Sequence, residues 1–210
     1  MTVKEIAAKL EKAITPLTAA LIFDLDGTLV DSNPAHLAAW NKACSKYGIS
    51  YPKEKFFYFA GLPSTIIASE ILKSYPDAIK HINPEDIAAV KEEAFEHYQH
   101  KIKPIEPVLK ILKTYKPRLP IALGTGRIKT STMSTLNTLE LTTLFDVIVT
   151  ADDVCAYKPA PDTFLKCAEL LGADPVRCLV FEDAERGVTA AENAGMQVVN
   201  VRTWLGPEKL

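Results

Sequence analysis

Two aspartates close an apolar run: "LIFDLDGTLVD" over 21–31 places Asp24 and Asp26 directly after Leu21, Ile22 and Phe23. An ionised carboxylate buried without a partner is destabilising, and a like-charged neighbour adds to the cost, so such a pair calls for solvent or a cation. Three further segments carry complementary chemistry. Gly124, Thr125, Gly126 and Arg127 follow "LPIAL", Lys158 and Pro159 lie in the loop after "DVIV", and Glu182 and Asp183 follow "CLVF". Gathered at one edge, Asp24, Asp26, Glu182 and Asp183 against Lys158 leave three negative charges, which predicts a bound divalent cation. With oxygen donors only, the donor set is hard and the predicted ion is Mg²⁺. "GTG" ahead of a helix offers amide N–H groups and the Thr125 hydroxyl to an anion, and Lys158 offers a point charge. That combination suits phosphoryl transfer: one aspartate attacks phosphorus, and the other protonates the leaving oxygen and then activates a water.

Residues this far apart in sequence meet only if strands carry them to a common edge. Strand candidates are 19–24, 119–123, 146–149, 178–182 and 197–201, and helical patterns cover 129–139, 161–171 and 185–194. Strand and helix in alternation predict an α/β fold, with a parallel sheet covered by helices on both faces. Ligands of such sheets bind beyond the carboxyl ends of the strands, where the acids, "GTG" and Lys158 fall. Residues 34–47, 63–74 and 84–100 read as consecutive helices with no strand among them. They predict an inserted all-helical cap over 34–103, with 1–33 and 104–210 forming the core. An additional helix near the start, within 1–15, has a capping box from Thr2 and Glu5 and an apolar face of Val3, Ile6, Leu10 and Ile14.

The 210 residues are 48 % hydrophobic and 24 % charged with a net charge of −2, so a globular core is expected and no basic excess points to nucleic acid or an anionic membrane. Cys44, Cys155, Cys167 and Cys178 show no metal or disulfide spacing, and no run resembles a signal peptide or membrane span. The expected setting is cytoplasmic, the expected partner a small phosphorylated metabolite, and the oligomeric state is left open.

"DLDGTLVD", "LGTGR", "YKPAPD" and "VFEDAERG" resemble, in order, the four motifs of the haloacid dehalogenase superfamily, and the match spans about 19–204. The resemblance implies a Rossmann-like core and assigns Asp24 as nucleophile and metal ligand, and Asp26 as general acid/base giving its backbone carbonyl to the metal. It implies that Thr125, with Gly126, and Lys158 hold the phosphoryl group, and that Asp183, with Glu182 directly or through water, completes the Mg²⁺ site. The insertion after the first motif, with "HLAAW" at 36–40, is similar to the β-phosphoglucomutase-like branch. The cap loop "FAGLPST" (59–65) lacks the cationic side chains a mutase needs for a bisphosphate, with Ala60 and Ser64 at the positions concerned, and is more similar to sugar-phosphate phosphatases of the fructose-1-phosphatase type. Gly61 and Ser64 are then expected to press on the sugar.

The expected activity is a Mg²⁺-dependent phosphatase acting on a small sugar phosphate through an aspartyl-phosphate. A phosphomutase is the alternative, ahead of a phospho-accepting receiver or a non-catalytic binding protein. Arg127 is read as a surface residue, His36 and Trp40 as packing at the cap root, and "FFYF" (56–59) as cap core. Glu93, His97 and His100 are read as a solvated helix face and not a metal site.

Overall fold

The computed structural model describes residues 1–205; the last residues of the expected core segment, 206–210, lie outside the described residues. Along the chain come α1 (Val3–Glu11), β1 (Ala20–Phe23), β2 (Val30–Asp31), α2 (Asn33–Lys46), α3 (Phe56–Phe59), α4 (Ser64–Leu72) and α5 (Pro84–Tyr98). There follow β3 (Lys103–Pro104), α6 (Glu106–Tyr115), β4 (Ile121–Gly124), α7 (Lys129–Thr138) and β5 (Val147–Val149). The chain continues through α8 (Asp162–Leu171), β6 (Cys178–Glu182), α9 (Glu185–Asn193), β7 (Gln197–Asn200) and α10 (Arg202–Leu205). Among the described residues no helix is long and apolar enough to cross a membrane.

The fold is α/β. Five parallel strands pair in the order β5-β4-β1-β6-β7, so β1 is central and flanked by β4 and β6. Its residues alternate between two cores: Leu21 and Phe23 join the apolar cluster on one face, Ala20 and Ile22 the cluster on the other. Burial on both faces is why the strands read as continuous apolar runs and not as alternating ones. The chain leaves β1 toward β4 on one side and later returns to β6 on the other, which puts a topological switch point, and hence a cleft, at the carboxyl end of β1.

The helices α2 to α5 bury a third cluster of their own, built on Trp40, Ile67, Ile71, Leu72 and Ile87. The two crossings to the sheet form a short antiparallel ribbon, with Val30 opposite Pro104 and Asp31 opposite Lys103, closed by the Ile105 N–H donating to the Leu29 carbonyl. Two-residue strands carry too little pattern to be read from sequence. The "FFYF" expectation needs correction: Phe59 is buried, but Tyr58 is 63 % exposed, with the Arg186 guanidinium over its ring, because the four residues make one helical turn and only one side of it faces inward. The capping box of α1 is present, and its inward face is Ile6, Ala7 and Leu10 packed on α6; Val3 is exposed, contrary to expectation.

Candidate active site

Register places the chemistry. Phe23 pairs with Leu123 on one side and Phe181 on the other, so Asp24, the "GTG" loop and Glu182 leave three adjacent strands at the same level. Gly27 then turns the chain with φ +79°, and a Cβ there would collide with the Asp183 carboxylate. Only glycine meets both conditions. The neighbouring Thr28 hydroxyl donates to Asp183 Oδ1 at 3.2 Å and fixes that carboxylate beside the turn.

Lys158, 1 % exposed, ties the strand ends together. Its ammonium donates to Asp24 Oδ1 (2.7 Å), Glu182 Oε2 (2.7 Å) and the Gly124 carbonyl (3.2 Å), which uses all three N–H bonds. Asp24 Oδ2 has no hydrogen-bond partner among the described residues. The remaining Glu182 oxygen accepts the N–H groups of Asp183 and Ala184, so Glu182 is rigidly oriented. Thr125 is buried, and its hydroxyl accepts the Arg127 N–H at 3.2 Å.

Asp26 faces a different set of groups. Its Oδ1 accepts the Ser32 hydroxyl at 2.6 Å and lies 3.4 Å from the Arg127 guanidinium. His36 Nε2 is 3.1 Å from the same oxygen but lacks the alignment of a hydrogen bond. Burial would raise the Asp26 carboxyl, yet the Arg127 guanidinium and the Ser32 hydroxyl outweigh it and hold the group ionised, well below the usual carboxylate range. His36 is stacked on Phe95; burial, with Lys91 and Arg127 nearby, lowers it to about 4, so it is neutral near pH 7.

The profile of the family described as haloacid dehalogenase-like hydrolase matches residues 21–201, most of the chain. The chain belongs to that family. It is 38 % identical over 184 residues to the fructose-1-phosphate phosphatase YqaB of Escherichia coli, covering 88 % of this chain and 96 % of that one. It is 31 % identical to the phosphorylated carbohydrates phosphatase of Thermotoga maritima, over 85 % and 82 % of the two chains. Among solved structures, β-phosphoglucomutase (pgmB) from Clostridium difficile superposes with a TM-score of 0.78 at 25 % identity, covering 91 % and 94 %. The chain is a phosphoric monoester hydrolase of the haloacid dehalogenase-like family.

All the residues singled out for this hydrolase from sequence lie at or beside one cleft at the carboxyl ends of the strands. Asp24, Asp26, Thr125, Gly126, Gly61, Ser64 and Glu182 line it, with Lys158 and Asp183 directly beneath through their contacts with Asp24, Glu182 and Thr28. The 58–65 segment lies against the strand ends: a Cβ on Gly126 would strike the Gly61 carbonyl, and the Arg186 Nε donates to the Tyr58 carbonyl at 2.7 Å.

Three expectations are corrected here. Arg127 is not a surface residue: it is 8 % exposed, donates to the Ser131 carbonyl and the Thr135 hydroxyl of α7, and stacks on Phe95. A buried guanidinium brings the local imbalance from three negative charges to two, the charge of one divalent ion. His36 does more than pack, since it faces Asp26. Finally, although "FAGLPST" is uncharged, α5 brings an ion pair into the cleft, the buried Lys91 with the half-buried Glu92 at 2.9 Å. Sequence reasoning missed these residues; the available signal was a lysine on the apolar face of a helix, beside Ala88, Ala94 and Phe95. Glu93, His97 and His100 are exposed, as read.

Asp24, Glu182 and Asp183 offer oxygens within 4.8 Å of one another, all buried, and they fit a hard divalent cation. The charge imbalance shows in their proton affinity: burial and the Glu182 carboxylate push Asp24 up to about 8 despite Lys158, and the same two causes raise Asp183. Without metal, the fold therefore retains protons that the unfolded chain loses near 3.8. This stabilisation is complete below that value and is lost as pH rises toward about 8. His36 acts oppositely, but only between its folded value of about 4 and its unfolded 6.5. In chelator, Tm is thus expected to fall between about pH 6.5 and pH 8 by more than about 3 °C, the shift made by roughly 1 kcal/mol in a chain of this size. Mg²⁺ should raise Tm more at the upper pH. A chelated Tm that stays level or rises over that window contradicts the imbalance.

Proposed function

We propose that the chain is a Mg²⁺-dependent phosphatase that hydrolyses a small sugar monophosphate through a phosphoryl group carried on Asp24. The observation that supports this best is the division of labour between the two aspartates. Asp24 has one oxygen fixed by Lys158 and the other free toward the cleft, while Asp26 is held at the cleft wall by groups that leave it ionised.

The free oxygen of Asp24 attacks phosphorus as the ester P–O bond breaks, and the leaving oxygen takes a proton from Asp26. Asp26, ionised beside Arg127, must first take up a proton from solvent as it turns from Arg127 toward the substrate, and it is this proton that the leaving oxygen receives. A water then attacks the phosphoryl-aspartate, Asp26 takes its proton, and the bond to Asp24 breaks to give inorganic phosphate. The "GTG" loop, at the start of α7, offers N–H groups to the phosphoryl oxygens, and Lys158, its own N–H groups engaged by Asp24, Glu182 and Gly124, adds a nearby positive charge. Asp24 and Asp183, with Glu182 and the Asp26 backbone carbonyl, would hold Mg²⁺. The ion, when bound, supplies charge that lets the anionic phosphoryl group approach anionic Asp24.

Residues 34–103 act in this reading as a cap over a core of 1–33 and 104–210, opening to admit substrate and closing through Gly61 and Ser64 to exclude bulk water. The sugar is inferred from the relatives, whose names include fructose-1-phosphate and phosphorylated carbohydrates. The free cysteines support a reducing, cytoplasmic setting. A mutase reading draws on Lys91, but Glu92 neutralises that cation, and the Arg127 guanidinium is already engaged by Asp26, Ser131 and Thr135. Coupled assays with β-glucose 1-phosphate and other sugar monophosphates test this: inorganic phosphate should outrun isomerised sugar phosphate by at least about 100-fold. Isomer forming faster than phosphate contradicts the phosphatase reading.

A further inference from the structure

Among the described residues, the buried side-chain polar atoms without a partner are Asn33 Nδ2, His36 Nε2, Glu92 Oε2 and Arg127 Nε. All four residues line the one cleft. Buried polar atoms are almost always paired, so this concentration marks where a polar ligand completes the structure. His36 and Arg127 sit against Asp26 and belong to the reacting centre. Asn33 and Glu92 flank that centre, at the N-terminal end of α2 next to Ser32 and in mid-α5 next to Lys91.

Glu92 is held in place for this. Its Oε1 accepts the Ser64 hydroxyl at 2.6 Å and the Lys91 ammonium at 2.9 Å, which leaves Oε2 without a donor. Lys91, 3 % exposed, lies over the Phe95 and Trp40 rings and is committed to this carboxylate, so the pair carries no net charge. Burial would raise the Glu92 carboxyl, but Lys91 and Ser64 outweigh it and bring it down to about 2; it remains an acceptor at any working pH. Oε2 is sealed from solvent and lacks a donor, and a polar ligand enclosed in the cleft would supply one.

We infer that Glu92, positioned by Ser64 and Lys91, accepts a hydrogen bond from a hydroxyl at the far, non-phosphorylated end of the substrate, with Asn33 donating to an oxygen of the same part. Glu92 is thereby a specificity-determining residue. A hydroxyl both donates and accepts, so a polyhydroxylated chain satisfies an acceptor and a donor together. A carboxylate or second phosphate at that end only accepts; it leaves Glu92 unpaired and sets like charges against each other in a closed cleft. The pocket therefore selects neutral polyol or sugar monophosphates against sugar acid phosphates and bisphosphates. This rests on the sugar-phosphatase reading and adds the group that enforces it.

The test compares glucitol 6-phosphate with 6-phosphogluconate, which differ only in a terminal hydroxymethyl or carboxylate, with p-nitrophenyl phosphate as a third substrate. Wild type should favour glucitol 6-phosphate by about 100-fold or more in kcat/KM, and Glu92→Gln, which can donate as well as accept, should reduce that preference by at least about tenfold. A wild-type preference near unity overturns the inference even if the variant fails to fold, and so does a Glu92→Gln variant that keeps the full preference. If p-nitrophenyl phosphate is hydrolysed but neither glucitol 6-phosphate nor 6-phosphogluconate is, the sugar-phosphatase reading has failed and this inference falls with it. Turnover of glucitol 6-phosphate and 6-phosphogluconate at similar rates removes Glu92 alone.

Discussion

Asp24→Asn is expected to lower kcat on any good substrate by at least about 10⁴-fold while leaving the fold intact. The amide preserves size and can still accept a hydrogen bond from Lys158 through its oxygen, but it cannot attack phosphorus. Because burial and Glu182 already push the Asp24 carboxyl up to about 8, a neutral group there relieves strain between like charges. The chelated variant should consequently show a Tm equal to or above that of wild type. The two readouts move in opposite directions, which separates lost chemistry from lost folding. A folded Asp24→Asn variant that retains a tenth of wild-type turnover rules out Asp24 as the nucleophile.

Lys158→Met should be the most damaging change to both stability and activity. The ammonium is the shared partner of Asp24 and Glu182, and methionine leaves two buried carboxylates facing each other with no counter-charge. Removing one partner of a buried ion pair costs about 3–5 kcal/mol, equivalent to a Tm loss on the order of 10 °C in a chain of this length. Protonation of Asp24 can relieve part of this, so the loss should deepen as pH rises. Turnover should fall by about 10³-fold as the phosphoryl group loses its cation and Asp24 its orientation. The double variant with Asp24→Asn should be more stable than Lys158→Met alone, since it removes one of the two orphaned charges. A double variant less stable than the single one would show that Lys158 contributes mainly by packing on Phe164, over whose ring it lies.

Much of this arrangement was legible because it is carried by local pattern. The apolar runs that became β1, β4, β5, β6 and β7 are bounded by the residues that matter, and strand register then delivers Asp24, Thr125 and Glu182 to one level. The helices of the insertion were likewise announced by Pro34, Gly48 and Pro84. Arg127 was not legible. An arginine at the start of a helix is ordinarily solvated, and its burial depends on Phe95 and Asp26 arriving from two other elements. Lys91 and Glu92 are a harder case still, since adjacent opposite charges on a helix usually face water. Only the packing of α5 against α2 and α4 turns them inward. The pattern is physical: sequence shows what a segment buries, but a charge inside a cleft depends on partners from segments that have no local signal in common with it.

Phosphoryl transfer through Asp24 is the central claim, and covalent trapping tests it most directly. Enzyme mixed with a good substrate and Mg²⁺ would be quenched in acid during turnover, treated with borohydride, which reduces an acyl-phosphate to the alcohol, and digested for mass spectrometry. Homoserine is predicted at position 24 in the peptide bearing "LIFDLDGTLVD", dependent on substrate and absent from Asp24→Asn. Substrate-dependent reduction at another carboxylate, Asp26 or Asp183 included, or an unmodified Asp24 peptide under conditions where a known phosphoryl-aspartate enzyme is trapped in parallel, would contradict it.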